Sequence, residues 1–260
     1  MIDLYNGYTT DDVLRDIPFE GKSLILYPVK VYQERQFNKL LHYILYSRKH
    51  YEIDKKVKLL DYVVKINSIK YLKDNEKLSN DEVIGLVIKD LEQLFSIICR
   101  QKIIFNIGED NKICFTDENK TIQINNKNFN LLRMVVLKQN VIHEPKIFET
   151  EEDEYVAKKW KDAMNEMNKN NITGIGELEN LISCETSKSY ESLNNQNLLQ
   201  LYADYYRCVN NINSKATIIF KTVSNEIKMI NYTDEIISQI YKDPYEGMYI
   251  DFDSFIGGLK

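Results

Sequence analysis

The sequence predicts an α+β protein, predominantly helical, with a small antiparallel β-meander packed with helices in its N-terminal part and a helical C-terminal subdomain. Three observations predict it. Residues 101–145 (QKIIFNIGEDNKICFTDENKTIQINNKNFNLLRMVVLKQNVIHEP) place three short alternating segments directly ahead of an amphipathic stretch. Segments before that run repeat apolar residues at helical spacing. From residue 150 onward the chain becomes strongly charged in a pattern that suits a long helix.

Near the N-terminus, residues 22–27 (KSLILY) read as a short strand, which Pro28 keeps out of a central ladder position. Residues 31–46 put Val31, Phe37, Leu40, Leu41, Ile44 and Leu45 on one helical face. A second helix is expected over 58–72. A third begins where Ser79 or Asn80 can cap it, with Asp81 and Glu82 at the positive end of its dipole. Its core face is Val83, Val87, Leu91, Leu94, Phe95 and Ile98. Gly85, inside this helix, costs about 1 kcal/mol relative to Ala, and close packing is the reading adopted for it.

The meander follows as KIIFNI, KICFT and TIQI, separated by turn-forming GEDN and DENK. Asn125 or Asn126 then caps a helix with Phe129, Leu132, Val136 and Val135 inward, and Pro145 bars its extension. These elements define an expected N-terminal α+β domain over 1–145. A helical subdomain over 146–232 and an extended C-terminal tail over 233–260 complete the division.

In the second part, Thr150 and Asp153 form a plausible capping pair for a helix that starts acidic and turns basic. Val156, Trp160, Ala163 and Met167 form its narrow apolar stripe. Gly174 and Gly176 read as a helix stop and turn, since no third glycine or GK[ST] ending makes them a phosphate loop. Further helices are expected over 177–184 and 197–211, and TIIFKTV (217–223) reads as a strand.

The 260 residues carry a net charge of −5, which argues against nucleic acid as a partner, because phosphate neutralisation needs a concentrated basic surface. No apolar run approaches the ~18 to 20 residues of a membrane span, and the start lacks the pattern of a signal peptide. An intracellular protein is expected. Cys99, Cys114, Cys184 and Cys208 lie far apart without CxxC spacing, so buried thiols are expected rather than zinc ligands or disulfides. His42 and His50 are about 12 Å apart along a helix, too far to share a metal unaided. His143 has no nucleophile placed beside it by any motif. Neither catalytic, cofactor-binding nor metal-binding residues are assigned.

The candidate sites are for protein partners. Trp160, Met164 and Met167 supply adaptable apolar contacts on the charged helix. Tyr245, Tyr249, Phe252 and Phe255 form an aromatic series in the tail, among Asp243, Glu246, Asp251 and Asp253. The acids would repel a phosphate backbone, whereas aromatic anchors among polar groups suit a protein surface. Folding of the tail back on its own domain is the alternative.

Taken in order, several motifs resemble those of tail assembly chaperones from the tail-gene region of phages of low-GC Gram-positive bacteria. They are the strand and YPVKV entry at 24–31, the aromatic-rich FNKLLHYILYS, and the meander leading into NNKNFNLLRMVVLKQNVIHEP. Within the last of these, Phe129, Leu132, Arg133, Gln139 and Asn140 fall in the family's order. A charged helix, GIGELENLIS and YADYYRCVNNI follow, so the resemblance spans roughly 24–212. It implies a non-enzymatic role, binding tape measure and/or tail tube proteins in the host cytoplasm during assembly, with room for oligomer formation. The rival is a permanent virion component, such as a baseplate, collar or tail-completion protein, docked through its C-terminal arm.

Overall fold

The structure, a computed structural model, describes residues 1–46, 49, 57–74, 78–108, 112–167, 174–222 and 236–245, without the side chains of residues 164, 165 and 167. The fold is α+β and predominantly helical, with small antiparallel sheets of two to three strands. Contacts divide the chain into two compact units: Met1–Pro145 with Glu191–Leu201, and Lys146–Tyr190 with Tyr202–Lys260. No helix among the described residues is long and apolar enough to cross a membrane.

The first unit opens with a hairpin, β1 (Asp3–Tyr5) and β2 (Tyr8–Thr9), leading into α1 (Thr10–Leu14). The connection turns through Asn6 and Gly7, both at positive φ. The Asp12 carboxylate accepts from the Thr9 N–H and hydroxyl, both at 2.8 Å, which fixes the start of α1. A second hairpin pairs β3 (Phe19–Gly21) with β4 (Leu24–Leu26). The 22–27 strand expectation therefore holds over β4. Its partner β3 is too short for alternation to reveal.

The single helix expected over 31–46 is instead a 3₁₀ turn, Val31–Gln33, then α2 (Glu34–Leu40) and α3 (His42–Leu45). The apolar positions keep helical spacing through the break, so Val31, Phe37, Leu40 and Ile44 are all buried. Next come α4 (Leu59–Asp74) and α5 (Asn80–Cys99), packed on each other. Ser79 and Glu82 close a reciprocal capping box on α5, with the Glu82 carboxylate accepting from the Ser79 N–H at 2.9 Å. The six positions assigned to the inner face of α5 are all fully buried. Gly85 is not closely packed: a Cβ built there meets nothing within 4 Å.

The meander forms as β5 (Ile104–Gly108), β6 (Lys112–Thr116) and β7 (Gln123–Asn125). Phe105, Phe115 and Ile124 lie in register across it and face the core. Phe95 of α5 meets Phe115 edge-on at 4.9 Å and Phe129 at 6.3 Å. The edge strands are not left open. Side chains of α5 take up N–H groups at the start of β5, Glu92 at Phe105 (2.7 Å) and Ser96 at Ile103 just ahead of the strand (2.9 Å), while the Ser23 carbonyl accepts from the Gln123 N–H at 3.0 Å.

The helix after the meander, α6 (Phe129–Gln139), has Asn128 at its N-cap rather than Asn125 or Asn126. Asn126 caps a different helix. Its side-chain oxygen accepts from the N–H groups of Leu60 (3.0 Å) and Asp61 (3.3 Å), at the start of α4. Helix α6 ends at Gln139, six residues before Pro145, where Val141 turns to positive φ.

The second unit contains α7 (Glu151–Met167), α8 (Ile175–Thr186) and α11 (Ile236–Ile240), with most of α10. Between α8 and α10 lies the short α9 (Tyr190–Asn194); α10 is Leu198–Lys221. Thr150 caps α7 as expected, its hydroxyl accepting from the Asp153 N–H at 3.0 Å. Gly174 is the N-cap of α8, and Gly176 sits inside that helix instead of stopping one. Residues 217–222 do not form a strand. They continue α10, where Thr217 satisfies its hydroxyl on the Asn213 carbonyl one turn back (2.8 Å).

One segment crosses the sequence order. Glu191–Leu201 packs with the first unit, where Val31 donates to the Gln196 carbonyl at 2.9 Å and the buried Asn197 donates to the Val13 carbonyl at 2.7 Å. Asn197 also caps α10, accepting from the Gln200 N–H at 3.0 Å.

Candidate partner-binding site

Helix α7 presents its charges as a solvated face, with Glu151, Glu152 and Glu154 exposed in the first turn beside the dipole's positive end. Of the apolar stripe assigned to it, Val156 and Trp160 are half-buried and Ala163 is exposed. The residue that α7 buries is Ala157. Trp160 encloses its indole N–H without an acceptor among the described residues, an arrangement that costs about 1–3 kcal/mol for a buried polar group. Met164 and Met167 lie on this helix, and their side chains are outside the described residues.

Of the tail aromatics, Tyr245 is placed and half-buried. Its ring meets Phe148 edge-on, centroids 5.7 Å apart, and the Lys146 ammonium lies 5.3 Å from the Tyr245 centroid and 5.9 Å from that of Phe148. Such a cation over an aromatic face is worth about 0.5–1 kcal/mol at an exposed site. Asp243 orders the approach, accepting from the Tyr245 N–H at 2.9 Å across an Asx-turn. Tyr249, Phe252 and Phe255 lie outside the described residues. Phe148 was missed as a candidate, because nothing local in the sequence links it to a tyrosine so distant in the chain.

A third feature was also missed. Helix α10 is held within the second unit by ion pairs of Asp204 with Lys188 (2.5 Å) and Arg207 (3.2 Å), and of Glu185 with Lys215 (3.8 Å). Its last turns expose Ile218, Ile219 and Phe220 at 48, 64 and 60 %. Consecutive residues on a helix are about 100° apart, so these three present apolar surface around roughly half of its circumference. Surface of this kind on a helix end suits insertion into a partner. The run was legible as apolar, but its strand-like composition hid the helical presentation.

The cysteines, histidines and buried tyrosines are placed elsewhere. Burial pushes the Cys99 thiol up to about 12, and raises those of Cys114 and Cys208 as well, all away from the reactive thiolate. Cys184 is exposed, contrary to the expectation of four buried thiols. His42 is lowered by burial, and His143 is exposed beside Glu144, which pairs with Arg133. His50 lies outside the described residues. Asp90 accepts from the hydroxyls of both Tyr43 and Tyr71 at 2.8 Å, raising both tyrosines, Tyr43 chiefly through burial and Tyr71 chiefly through that hydrogen bond. No cluster of three or more potential metal ligands occurs among the described residues.

No family model matches the chain, and no solved structure matches it. It is similar to the SPbeta prophage-derived uncharacterized protein YomV of Bacillus subtilis (strain 168), 25 % identical over 123 residues, which is 46 % of this chain. The chain spans about half of that relative's length, 49 %.

Proposed function

We propose that this protein is a non-enzymatic phage tail morphogenesis factor that binds tape measure and/or tail tube proteins during assembly. The single observation that carries the binding part of this reading is the exposed Ile218, Ile219 and Phe220 at the end of α10. An apolar helix end seats in a groove or beside another helix, which is how a partner's own apolar segment is kept from aggregating. The similarity to a prophage-derived protein supports a phage setting, and the resemblance to tail assembly chaperones in the order of motifs over 24–212 supports the assembly role.

Two of the segments that carry the resemblance meet in space. Asn140 accepts from the Val29 N–H at 2.9 Å, and Gln139 donates to the Leu26 carbonyl at 3.0 Å. The YPVKV entry and the end of α6 are therefore one packed, hydrogen-bonded element. The test is co-expression with the tape measure and tail tube proteins of the same phage, followed by affinity capture. Recovery of either with the wild-type chain, and its loss with Ile219→Asp/Phe220→Asp, supports the reading. Recovery of neither contradicts it.

A further inference from the structure

The three-stranded sheet turns one face to the core and the other away from it. Phe105, Phe115 and Ile124 take the inner face, so alternation gives the outer one to Asn106, Cys114, Thr116, Gln123 and Asn125. This outer face borders a cavity of about 710 Å³ that Ile107 and Ile113, at the β5–β6 end of the sheet, also line. Around it stand Lys58, Lys112, Lys120 and Lys127, all exposed, and no carboxylate lines it among the described residues. The four lysines come from the start of α4, the start of β6, the β6–β7 turn and the approach to α6. The segment 112–127 carries three of them, and the fold brings Lys58 beside it. The floor is ordered: Asn106 donates to the Thr116 hydroxyl at 2.5 Å, and Thr116 is 6 % exposed.

An anion is the ligand this arrangement favours, and its floor narrows the class. Single-stranded nucleic acid on a sheet face is held by stacking on aromatic side chains, and among the described residues no aromatic one lines this cavity. Arginine, the side chain best matched to phosphate, is also missing from the lining among the described residues. Amide side chains on the floor suit the N–H and C=O groups of an extended polypeptide, and lysines suit carboxylates spaced along it. A five-residue strand such as β5 spans about 17 Å, room for a similar length of extended peptide.

We propose that the outer face of β5, β6 and β7 docks an acidic stretch of a partner polypeptide. This surface lies wholly in the first unit and is independent of the apolar end of α10. The experiment is fluorescence anisotropy of the full chain with a labelled oligoglutamate peptide and, separately, an oligothymidylate of equal charge, at near-physiological salt. The expected result is saturable oligoglutamate binding that weakens as salt rises, and weaker binding of the oligothymidylate. Lys112→Gln/Lys120→Gln/Lys127→Gln should reduce peptide affinity about tenfold, while Lys158→Gln/Lys159→Gln/Lys161→Gln on α7 should leave it unchanged. Lys120→Glu alone, a single exposed change, should act in the same direction and guards against misfolding of the triple variant. Absence of peptide binding, equal loss in the α7 variant, or tighter binding of the oligothymidylate would overturn the proposal.

Discussion

Arg100 and Asp16, 84 residues apart in the chain, meet in a two-pronged ion pair: Nη1 donates to Oδ2 and Nη2 to Oδ1, both at 2.7 Å. Lys30 adds a third contact to Asp16 at 2.7 Å, and the guanidinium also donates to the Pro28 carbonyl and lies 4.7 Å from the Tyr27 centroid. Both partners occupy the left-handed region, at φ 59° for Asp16 and 51° for Arg100, a conformation that costs a non-glycine residue about 1–2 kcal/mol. The cost is offset because one pair ties the end of α1, the end of α5 and the YPVKV entry together.

Arg100→Gln should therefore destabilise the first unit by about 2 kcal/mol, the scale of hydrogen bonds to a charged group at a partly buried site. Equilibrium urea unfolding checks it. Burial pushes the Asp16 carboxyl up, but the hydrogen bonds and charges of Arg100 and Lys30 outweigh it and hold the group below its ordinary value. A depressed folded pKa gives stability that is present above the unfolded value, about 3.9, and lost as pH falls through the folded one. Asp16→Asn should accordingly flatten the acid limb of the stability profile below about pH 4.

Gly85→Ala should stabilise the protein by about 0.5–1 kcal/mol. The position is inside α5, space for a Cβ is open, and the substitution lowers the entropy of the unfolded chain. A rise in the denaturation midpoint with an unchanged m-value is the expected readout.

Arg133→Met should cost about 3–5 kcal/mol. Arg133 is 1 % exposed, and it donates through Nε to the Ile44 carbonyl (3.1 Å) and through Nη2 to that of Leu45 (3.3 Å), at the end of α3. Its removal leaves those carbonyls and Glu144 without their cation. The check is thermal unfolding beside Arg133→Lys, which keeps the charge but not the fork and should fall between.

Ile219→Asp/Phe220→Asp should leave the melting temperature unchanged, because both side chains are exposed, and should weaken partner capture by about thirtyfold or more, the scale of an interface hot spot. Microscale binding with a captured partner measures the second quantity, and differential scanning calorimetry the first.

How much of this was legible follows from the range of the forces involved. Periodicity and caps act within a few residues, so α5 with Ser79, the β5–β6–β7 meander and the Thr150 start of α7 could be read directly. Contacts made across the chain could not. Asn126 looked like a cap for the following helix because its chemistry suits any N-terminus, and only the fold assigns it to α4. TIIFKTV (217–223) reads as a strand from its sequence, but over its described residues the propagation of an existing helix overrides that composition. Of the candidate site, Trp160 and Tyr245 were legible as large aromatics among polar residues. Phe148 and the grouping of Lys58 with the lysines around the sheet were not, since each depends on residues brought together from separate segments, and the exposed end of α10 was hidden by its strand-like composition.

The proposed function implies that the protein acts during tail assembly and is not retained in the particle. Quantitative mass spectrometry of purified virions, set against infected-cell lysate, tests it most directly. The chain should be abundant in the lysate and absent, or far below one copy per particle, in the virions. A stoichiometric copy number in purified virions would contradict the account and identify a permanent structural component.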